Sequence, residues 1–128
     1  MSAATNALNW FEIPVADADR AQQFYETIFE VKMMPMDMPG IQDMRMIGFP
    51  PEPPKSSGAL VKSPSHKPGT EGVVLYLNAN PDLQKVLDRI EAAGGKITVP
   101  KTQITPEIGY MAFFIDSEGN SIGLHSGQ

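Results

Sequence analysis

The sequence predicts an α+β fold in which two tandem βαβββ modules form a curved, half-barrel-like mixed sheet. Three observations support this prediction. The chain of 128 residues begins with an alternating apolar strand and an amphipathic helix. The order strand, helix, strand, strand, strand then occurs twice along the chain. The second copy starts about 64 residues after the first, and such a repeat of one supersecondary unit is typical of an internal duplication.

Residues 8–29 predict the first strand and the first helix. Apolar and polar residues alternate up to Pro14, which lacks a backbone donor and should end the strand or lie at an edge. Asp17 is a good helix N-cap, and Asp19 lies in the first turn, where the helix dipole favours a carboxylate. The apolar side chains of the helix recur at helical spacing as one stripe, which we expect to pack on the sheet: Ala21, Phe24, Tyr25, Ile28 and Phe29.

Module one is predicted to span residues 7–62 and to contain three further strands. These strands are predicted at residues 31–38, 44–49 and 58–62. Pro35 should break the first of them, and Gly40 should lie in the turn that follows it. Residues 49–58 are rich in proline, and we interpret them as an exposed connection rather than as a peptide-recognition segment.

Methionines are concentrated in module one. Six of the eight methionines fall between Met33 and Met46. Methionine is flexible and polarisable, so a methionine-rich strand pair can line an adaptable apolar pocket. The same side chains can equally fill a core, and the sequence leaves both interpretations open.

A linker rich in proline, glycine and serine is predicted at residues 63–72, and module two at residues 73–126. A mostly apolar strand is expected at residues 73–77. Asn80 is a plausible N-cap with Pro81 at the first helical position, and Gly94 should close the helix. The remaining segments are predicted as a strand at 96–99, a loop at 100–106, a strand at 109–116, a hairpin turn at 117–120 and a strand at 121–126.

Composition excludes several classes of protein. The net charge is −5 and there is no basic cluster, which argues against a nucleic-acid or anionic-membrane surface. No apolar run approaches the length of a membrane span. The N-terminus has neither a basic segment nor a long apolar segment, so we expect no secretory signal. The absence of cysteine excludes disulfides and fits a cytoplasmic protein.

Two stretches resemble the vicinal oxygen chelate superfamily, which comprises glyoxalases, bleomycin-resistance proteins and extradiol dioxygenases. Members typically open with a strand, a "V-x-D" turn and a helix ending in "A-x-x-F-Y". The matching residues here are Val15, Asp17, Ala21, Phe24 and Tyr25. The segment 114–124, FIDSEGNSIGL, resembles the closing "D-P-x-G-N-x-x-x-L" hairpin of the family. The resemblance covers nearly the whole chain and implies paired βαβββ modules.

The resemblance also implies metal-ligand positions, but the residues at these positions in this sequence lack side chains that bind a metal ion. Enzymes of the family hold a divalent metal in the cup of the sheet, with His or Glu ligands from the first and last strands of each module. The corresponding positions are Trp10, Val73 or its neighbour Val74, and Gly123, while residues 59–61 also offer no ligand. We therefore expect no metal cofactor and doubt the metal-dependent activities of the family.

Strand alternation predicts which other side chains line the cup. If Trp10 faces it, Glu12 does too, and if Gly123 faces it, so do Ser121 and His125. Gly123 should leave room where a ligand would stand. Candidate ligand-binding residues are therefore Trp10, Glu12, Arg45, Tyr110, Ser121 and His125, although the facing of Arg45 and Tyr110 is open. The candidate catalytic residues are Glu12 and His125, and His66 in the linker is expected to be solvated.

The function that the sequence favours is binding of a small organic molecule in the cup, without the family metal. The alternative is a lyase, isomerase or dioxygenase of the same superfamily that uses a relocated metal or an acid–base pair of Glu12 and His125. By analogy with the family, we expect a homodimer in which the partner helps to close the cup.

Overall fold

The computed structural model describes residues 1–36, 43–50 and 55–128. Within them the chain forms two helices and two four-stranded mixed sheets, one for each module. The elements are β1 (Trp10–Pro14), α1 (Ala18–Phe29), β2 (Met34–Met36), β3 (Arg45–Gly48), β4 (Ser57–Lys62), β5 (Tyr76–Asn78), α2 (Gln84–Ala93), β6 (Lys96–Thr105), β7 (Gly109–Ile115) and β8 (Ser121–Ser126). The predicted α+β class and tandem βαβββ order are confirmed.

The two sheets have the same topology, which supports the internal repeat. Strand order is β1-β4-β3-β2 in the first sheet and β5-β8-β7-β6 in the second. In each sheet the first strand runs parallel to the last, with Glu12 opposite Ala59 and Tyr76 opposite Gly123. The two residue pairs are 64 residues apart in the sequence. Position 12 of the first module therefore corresponds to position 76 of the second, and position 59 to position 123.

Helix α1 forms as the sequence predicts. Asp17 has extended backbone dihedral angles, and its side chain accepts a hydrogen bond from the Arg20 N–H at 3.0 Å, which caps the helix. The apolar stripe of α1 is buried in the main core, which also contains α2 and one face of each sheet. One hydrophobic core therefore spans both modules. No helix in the described part of the chain is long and apolar enough to cross a membrane.

Helix α2 begins later than predicted. Its first residue is Gln84, and Leu83 occupies the N-cap position, so the expected start at Asn80 and Pro81 is wrong. The Asn80 side chain instead accepts a hydrogen bond from the Gly127 N–H at 2.8 Å, which ties the chain end to this loop. The predicted C-cap at Gly94 is confirmed, with φ of 107°. Gly95 lies so close to α1 and β7 that a Cβ there would approach the Ile115 carbonyl oxygen to 2.8 Å.

Two strand predictions for module two are wrong. The strand expected at 73–77 is β5, Tyr76–Asn78, and Val73 and Val74 precede it with exposed side chains. The loop expected at 100–106 belongs to β6, a ten-residue edge strand with several register shifts against β7. Pro100 is tolerated there because an edge strand leaves some of its N–H groups unpaired.

The strands of module one are close to their predicted positions: β3 is shorter than predicted, and β4 begins one residue earlier. The strand expected at 31–38 is β2, which begins at Met34 and contains Pro35 instead of breaking at it; residues 37 and 38 lie outside the described residues. Pro35 is accommodated because β2 is an edge strand of its sheet. The predicted turn at Gly40, and the central part of the proline-rich connection at 51–54, lie outside the described residues.

The hairpin between β7 and β8 joins the two modules. The Glu118 carboxylate accepts hydrogen bonds from the Ala16 and Asp17 N–H groups at 2.9 and 2.8 Å, at the start of α1. Arg20 donates to both oxygens of the same carboxylate, at 2.7 and 2.9 Å. These partners outweigh the opposing effect of burial and hold the pKa of Glu118 at about 2. The residues that resemble the family hairpin thus dock module two onto the N-terminus of α1.

A buried polar network continues from this hairpin. The Tyr25 hydroxyl donates to Asp116 at 2.7 Å, and burial together with this carboxylate raises the pKa of Tyr25 well above its ordinary range. Asn120 donates to the Pro14 carbonyl at 2.7 Å and accepts from the Gly69 N–H at 2.9 Å. The end of β1, the linker and the β7–β8 hairpin are therefore held together by one set of hydrogen bonds.

Candidate functional site

Each sheet has one face covered by helices and one open face. Strand alternation and register assign the open face of the first sheet to the side of Trp10 and Glu12. Most of its other side chains are small or apolar: Met34, Met36, Met46, Ala59 and Val61. Met46, Ala59 and Val61 form a small buried cluster there, whereas Met34 and Met36 are exposed. The methionines thus fill this face and also present an apolar surface.

The open face of the second sheet carries Tyr76, Phe113, Gly123 and His125. The rings of Tyr76 and Phe113 meet edge to face, with centroids 5.3 Å apart. The ring of Tyr76 lies directly over Gly123. A Cβ added at position 123 would lie only 2.7 Å from a carbon atom of this ring. The space that the sequence predicted beside Gly123 is therefore occupied by an aromatic ring. Sequence reasoning missed Tyr76 because it placed the strand too early; the 64-residue offset from Glu12 identifies it.

A cleft of about 250 Å³ lies where the two modules meet. It contains residues from both open faces, among them Glu12 of the first sheet and Ser121 of the second. Lys67, Gly69 and Glu71 of the linker line the same cleft. Two of the predicted site residues, Glu12 and Ser121, are therefore brought to one cavity.

A larger cleft of about 520 Å³ lies away from these residues. It is lined by Phe11, Phe29, Val31, Phe49, Pro50, Lys55, Ser56, Ser57, Leu77, Asn78 and Asn80. Phe11, Phe29, Val31 and Phe49 also pack against the main core. Most of the apolar residues that line this cleft thus also complete the core. None of the predicted site residues lines the cleft.

Each carboxylate oxygen of Glu12 has a side-chain hydrogen-bond partner. One carboxylate oxygen accepts from the Trp10 indole N–H at 3.3 Å, and the other lies 2.7 Å from His66 Nε2. His66 Nδ1 lies 2.6 Å from the Ser63 hydroxyl. The expectation that His66 is solvated is wrong, because only 20% of its side chain is exposed. Sequence reasoning missed this contact because 54 residues separate the two partners.

The other predicted site residues take separate positions. His125 Nε2 lies 2.8 Å from the Ile108 carbonyl oxygen, so the structure pairs Glu12 with His66 and not with His125. Arg45 lies on the helix-covered side of its sheet and pairs with Asp19 at 3.0 Å. Tyr110 also lies on the helix-covered side, packed against the core, with Lys101 Nζ 4.5 Å from its ring centroid. Neither Arg45 nor Tyr110 reaches the open faces.

The residues at the family's metal positions do not fit a metal ion. Trp10 offers only an N–H donor, Val74 an alkyl group and Gly123 no side chain. The ring of Tyr76 covers the Gly123 position. Across residues 1–36, 43–50 and 55–128, no three His, Cys, Asp or Glu side chains form a group that could hold a metal ion.

Comparison with known proteins agrees with this architecture. The profile of the Glyoxalase/Bleomycin resistance protein/Dioxygenase superfamily matches residues 7–124. The chain belongs to this superfamily. Comparison with curated protein sequences gives no match.

Several solved structures of the superfamily are similar to this chain. TnmS3, an antibiotic binding protein from Streptomyces sp. CB03234, is 27% identical over 99% of this chain and 100% of its own, with a TM-score of 0.67. A glyoxalase/bleomycin resistance protein from the same organism is 28% identical over 94% of this chain and 100% of its own, with a TM-score of 0.66. Glyoxalase I from Zea mays shares the fold at 24% identity and a TM-score of 0.70, over 93% of this chain and 44% of its own.

Proposed function

We propose that this superfamily member binds a planar, largely apolar small organic molecule on the open faces of its sheets, without the family metal. The observation that carries the proposal is the pair of exposed aromatic side chains, Trp10 and Tyr76, one on each open face. They are 41% and 45% exposed, although large aromatic side chains are usually mostly buried. Aromatic rings bind flat ligands by stacking and present a polar group at their edge.

The surroundings of these rings support an apolar ligand. Met34 and Met36 expose flexible thioether side chains on the first sheet, and such side chains adapt to ligands of irregular shape. Phe113 supports the ring of Tyr76 from the side. The similarity to TnmS3, which is described as an antibiotic binding protein, supports the same class of function.

The test uses the lone tryptophan as a reporter. Titration with the fluorescent aromatic sulfonate 1-anilinonaphthalene-8-sulfonate, and separately with bleomycin, should quench Trp10 emission in a saturable manner. Calorimetry on Tyr76→Ala and Trp10→Ala should then show binding weakened by about 5- to 30-fold, because each substitution removes a large aromatic contact worth about 1–2 kcal/mol. The variants should remain folded, since both side chains are substantially exposed.

Leu8→Ala is the matched control, because Leu8 is 47% exposed and lies outside the sheets. Its binding should equal that of the unsubstituted protein. If Lys55→Ala weakened binding while Tyr76→Ala did not, the ligand would occupy the larger cleft and the proposal would be wrong. Absence of saturable binding for both compounds would also contradict it.

A metal-dependent reaction of the family is the competing function. We expect none of Ni²⁺, Mn²⁺, Fe²⁺, Zn²⁺ and Mg²⁺ to change the melting temperature of the protein. An ion that bound only the folded state would raise it. A saturable rise with one of these ions, lost in Glu12→Gln, would favour a relocated metal site and an enzymatic function.

We also propose that the chain forms a homodimer. The open faces expose apolar side chains. A second copy that closes the cup around the ligand would remove this apolar surface from water, which favours the dimer. Light scattering of the purified protein should give twice the chain mass of 13.9 kDa. A mass equal to one chain across the accessible concentration range would refute this proposal.

A further inference from the structure

The turn that begins the linker contains a serine and a histidine in contact with a carboxylate. Ser63 Oγ lies 2.6 Å from His66 Nδ1, and His66 Nε2 lies 2.7 Å from Glu12 Oε1. The three side chains therefore form a continuous hydrogen-bonded series. A hydroxyl, an imidazole and a carboxylate in this order are the groups that activate a serine nucleophile, and such sets are recognised by geometry rather than by sequence position.

The hydrogen-bond roles along this series follow from the donor inventory of each group. An ionised carboxylate has only acceptors, so Nε2 of His66 carries the proton that faces Glu12. In a neutral imidazole the other nitrogen is then an acceptor, and Nδ1 receives the hydrogen bond of the Ser63 hydroxyl. His66 is thereby held in the tautomer that a general base requires.

The surrounding residues hold this arrangement in place. The Trp10 indole N–H donates to the second oxygen of Glu12 at 3.3 Å, which fixes the carboxylate. The His66 N–H donates to the Ser63 carbonyl at 3.3 Å, which closes the turn. Pro64 lies within this turn and restricts its backbone. Glu12, the partner of His66, and Lys67, the next residue along the chain, line the 250 Å³ cleft, whereas Ser63 and His66 are not part of its lining.

We propose that Ser63, His66 and Glu12 form an acyl-transfer site for activated esters of small carboxylic acids. Ser63 Oγ forms a bond to the acyl carbon while its proton passes to His66 Nδ1. The ester C–O bond breaks, and the leaving alkoxide takes the proton from His66 as it departs as the alcohol. A water molecule then gives a proton to His66 Nδ1 while its oxygen bonds to the acyl carbon. The bond between that carbon and Ser63 Oγ breaks, Oγ takes the proton back from His66, and the free acid leaves. Glu12 is a positioning residue that holds the histidine tautomer.

This inference does not require a ligand on the open faces, although Trp10 contacts both sites, and its test uses the intact protein with p-nitrophenyl acetate. Release of p-nitrophenol should be accompanied by acetylation of Ser63, detected by mass spectrometry of the peptide that carries it. Ser63→Ala should abolish the adduct, and His66→Ala should lower the rate by about 100-fold or more.

The chain offers a control serine outside this turn. Ser2 is exposed and its hydroxyl contacts that of Thr5, so Ser2→Ala should react like the unsubstituted protein. Glu12→Gln should slow acetylation of Ser63 and Glu12→Asp should recover part of the rate, because only a carboxylate favours the required tautomer. Acetylation confined to lysines, or a Ser63 rate unchanged by His66→Ala, would overturn the proposal.

Discussion

At the scale of single residues, Glu118 shows how a carboxylate can join two modules. It lies in a hairpin of module two, yet its partners are the N–H groups of Ala16 and Asp17, immediately before α1, and the guanidinium of Arg20. A helix N-terminus combines unpaired N–H groups with the positive end of the helix dipole, so it stabilises a negative charge. The side chain of Glu118 is fully buried, whereas that of Arg20 is 55% exposed, so solvent screens this ion pair in part.

We expect Glu118→Gln to lower the free energy of unfolding by about 2 kcal/mol at pH 7, because it removes the charge from several hydrogen bonds. The pKa of Glu118 is depressed to about 2, below its ordinary value of 4.5. The stabilisation is therefore present above pH 4.5 and is lost as the pH falls from there through about 2.

Denaturant unfolding at pH 7 and pH 3 measures this effect. The unsubstituted protein should lose more stability between the two pH values than Glu118→Gln does. Asp19→Asn is a suitable control, since Asp19 is an exposed carboxylate at the same helix terminus and its ion pair in the described part of the chain is with exposed Arg45. Equal pH dependence in the unsubstituted protein and Glu118→Gln would show that the stability comes from other carboxylates.

At the scale of elements, the first helix and the second helix differ in how their starts are encoded. Helix α1 has a local cap in Asp17, whose side chain accepts from the Arg20 N–H. Helix α2 has no side-chain cap at Leu83, and the Leu83 N–H donates to the Ser126 hydroxyl at 2.9 Å instead. The start of α1 is therefore predictable from adjacent residues, whereas the start of α2 depends on a contact with β8, 43 residues away.

Asp17→Ala should cost about 1 kcal/mol of stability, the usual value for loss of an N-cap side chain. Thermal and denaturant unfolding measure the change. Asp17→Ser should recover most of it, because a serine hydroxyl also accepts the hydrogen bond of a helical N–H. A loss that serine does not restore would mean that Asp17 acts through charge and not as a cap.

Strands were predicted less accurately than helices in this chain, for a physical reason. β5 is only three residues long, and its position depends on pairing with β8, as shown by Tyr76 opposite Gly123. β6 extends through Pro100 because its pairing with β7 continues past irregularities in register. Long-range pairing therefore overrode the local signals of proline and of apolar runs.

At the scale of the whole molecule, one core and one polar network connect the modules. Phe24 of α1 packs against Phe114 of the second sheet with ring centroids 6.0 Å apart, and α1 contacts α2. The Tyr25 hydroxyl is bonded to Asp116 within the same interface. A module separated from its partner would expose these apolar groups and leave buried polar atoms unpaired.

We therefore expect the two modules to unfold as one cooperative unit. Trp10 fluorescence reports on module one alone, since the chain has a single tryptophan, while far-ultraviolet circular dichroism reports on both modules. The two denaturation curves should coincide within error, as they do for two-state domains. Tyr25→Phe should shift both curves together, and a curve that splits into two transitions would refute a common core.

The sequence by itself determined the class of fold, the repeat and the α1 helix with its Asp17 cap. These features depend on residue type, on period and on neighbours within a few positions, all of which can be read along the chain. Tertiary structure alone decided that Glu12 meets His66, that Tyr76 covers Gly123, that Glu118 joins the modules and that Arg45 and Tyr110 face the helices. Each of these contacts depends on strand register or on a meeting of segments far apart in the chain, and a shift of one residue in register reverses which side chains share a face.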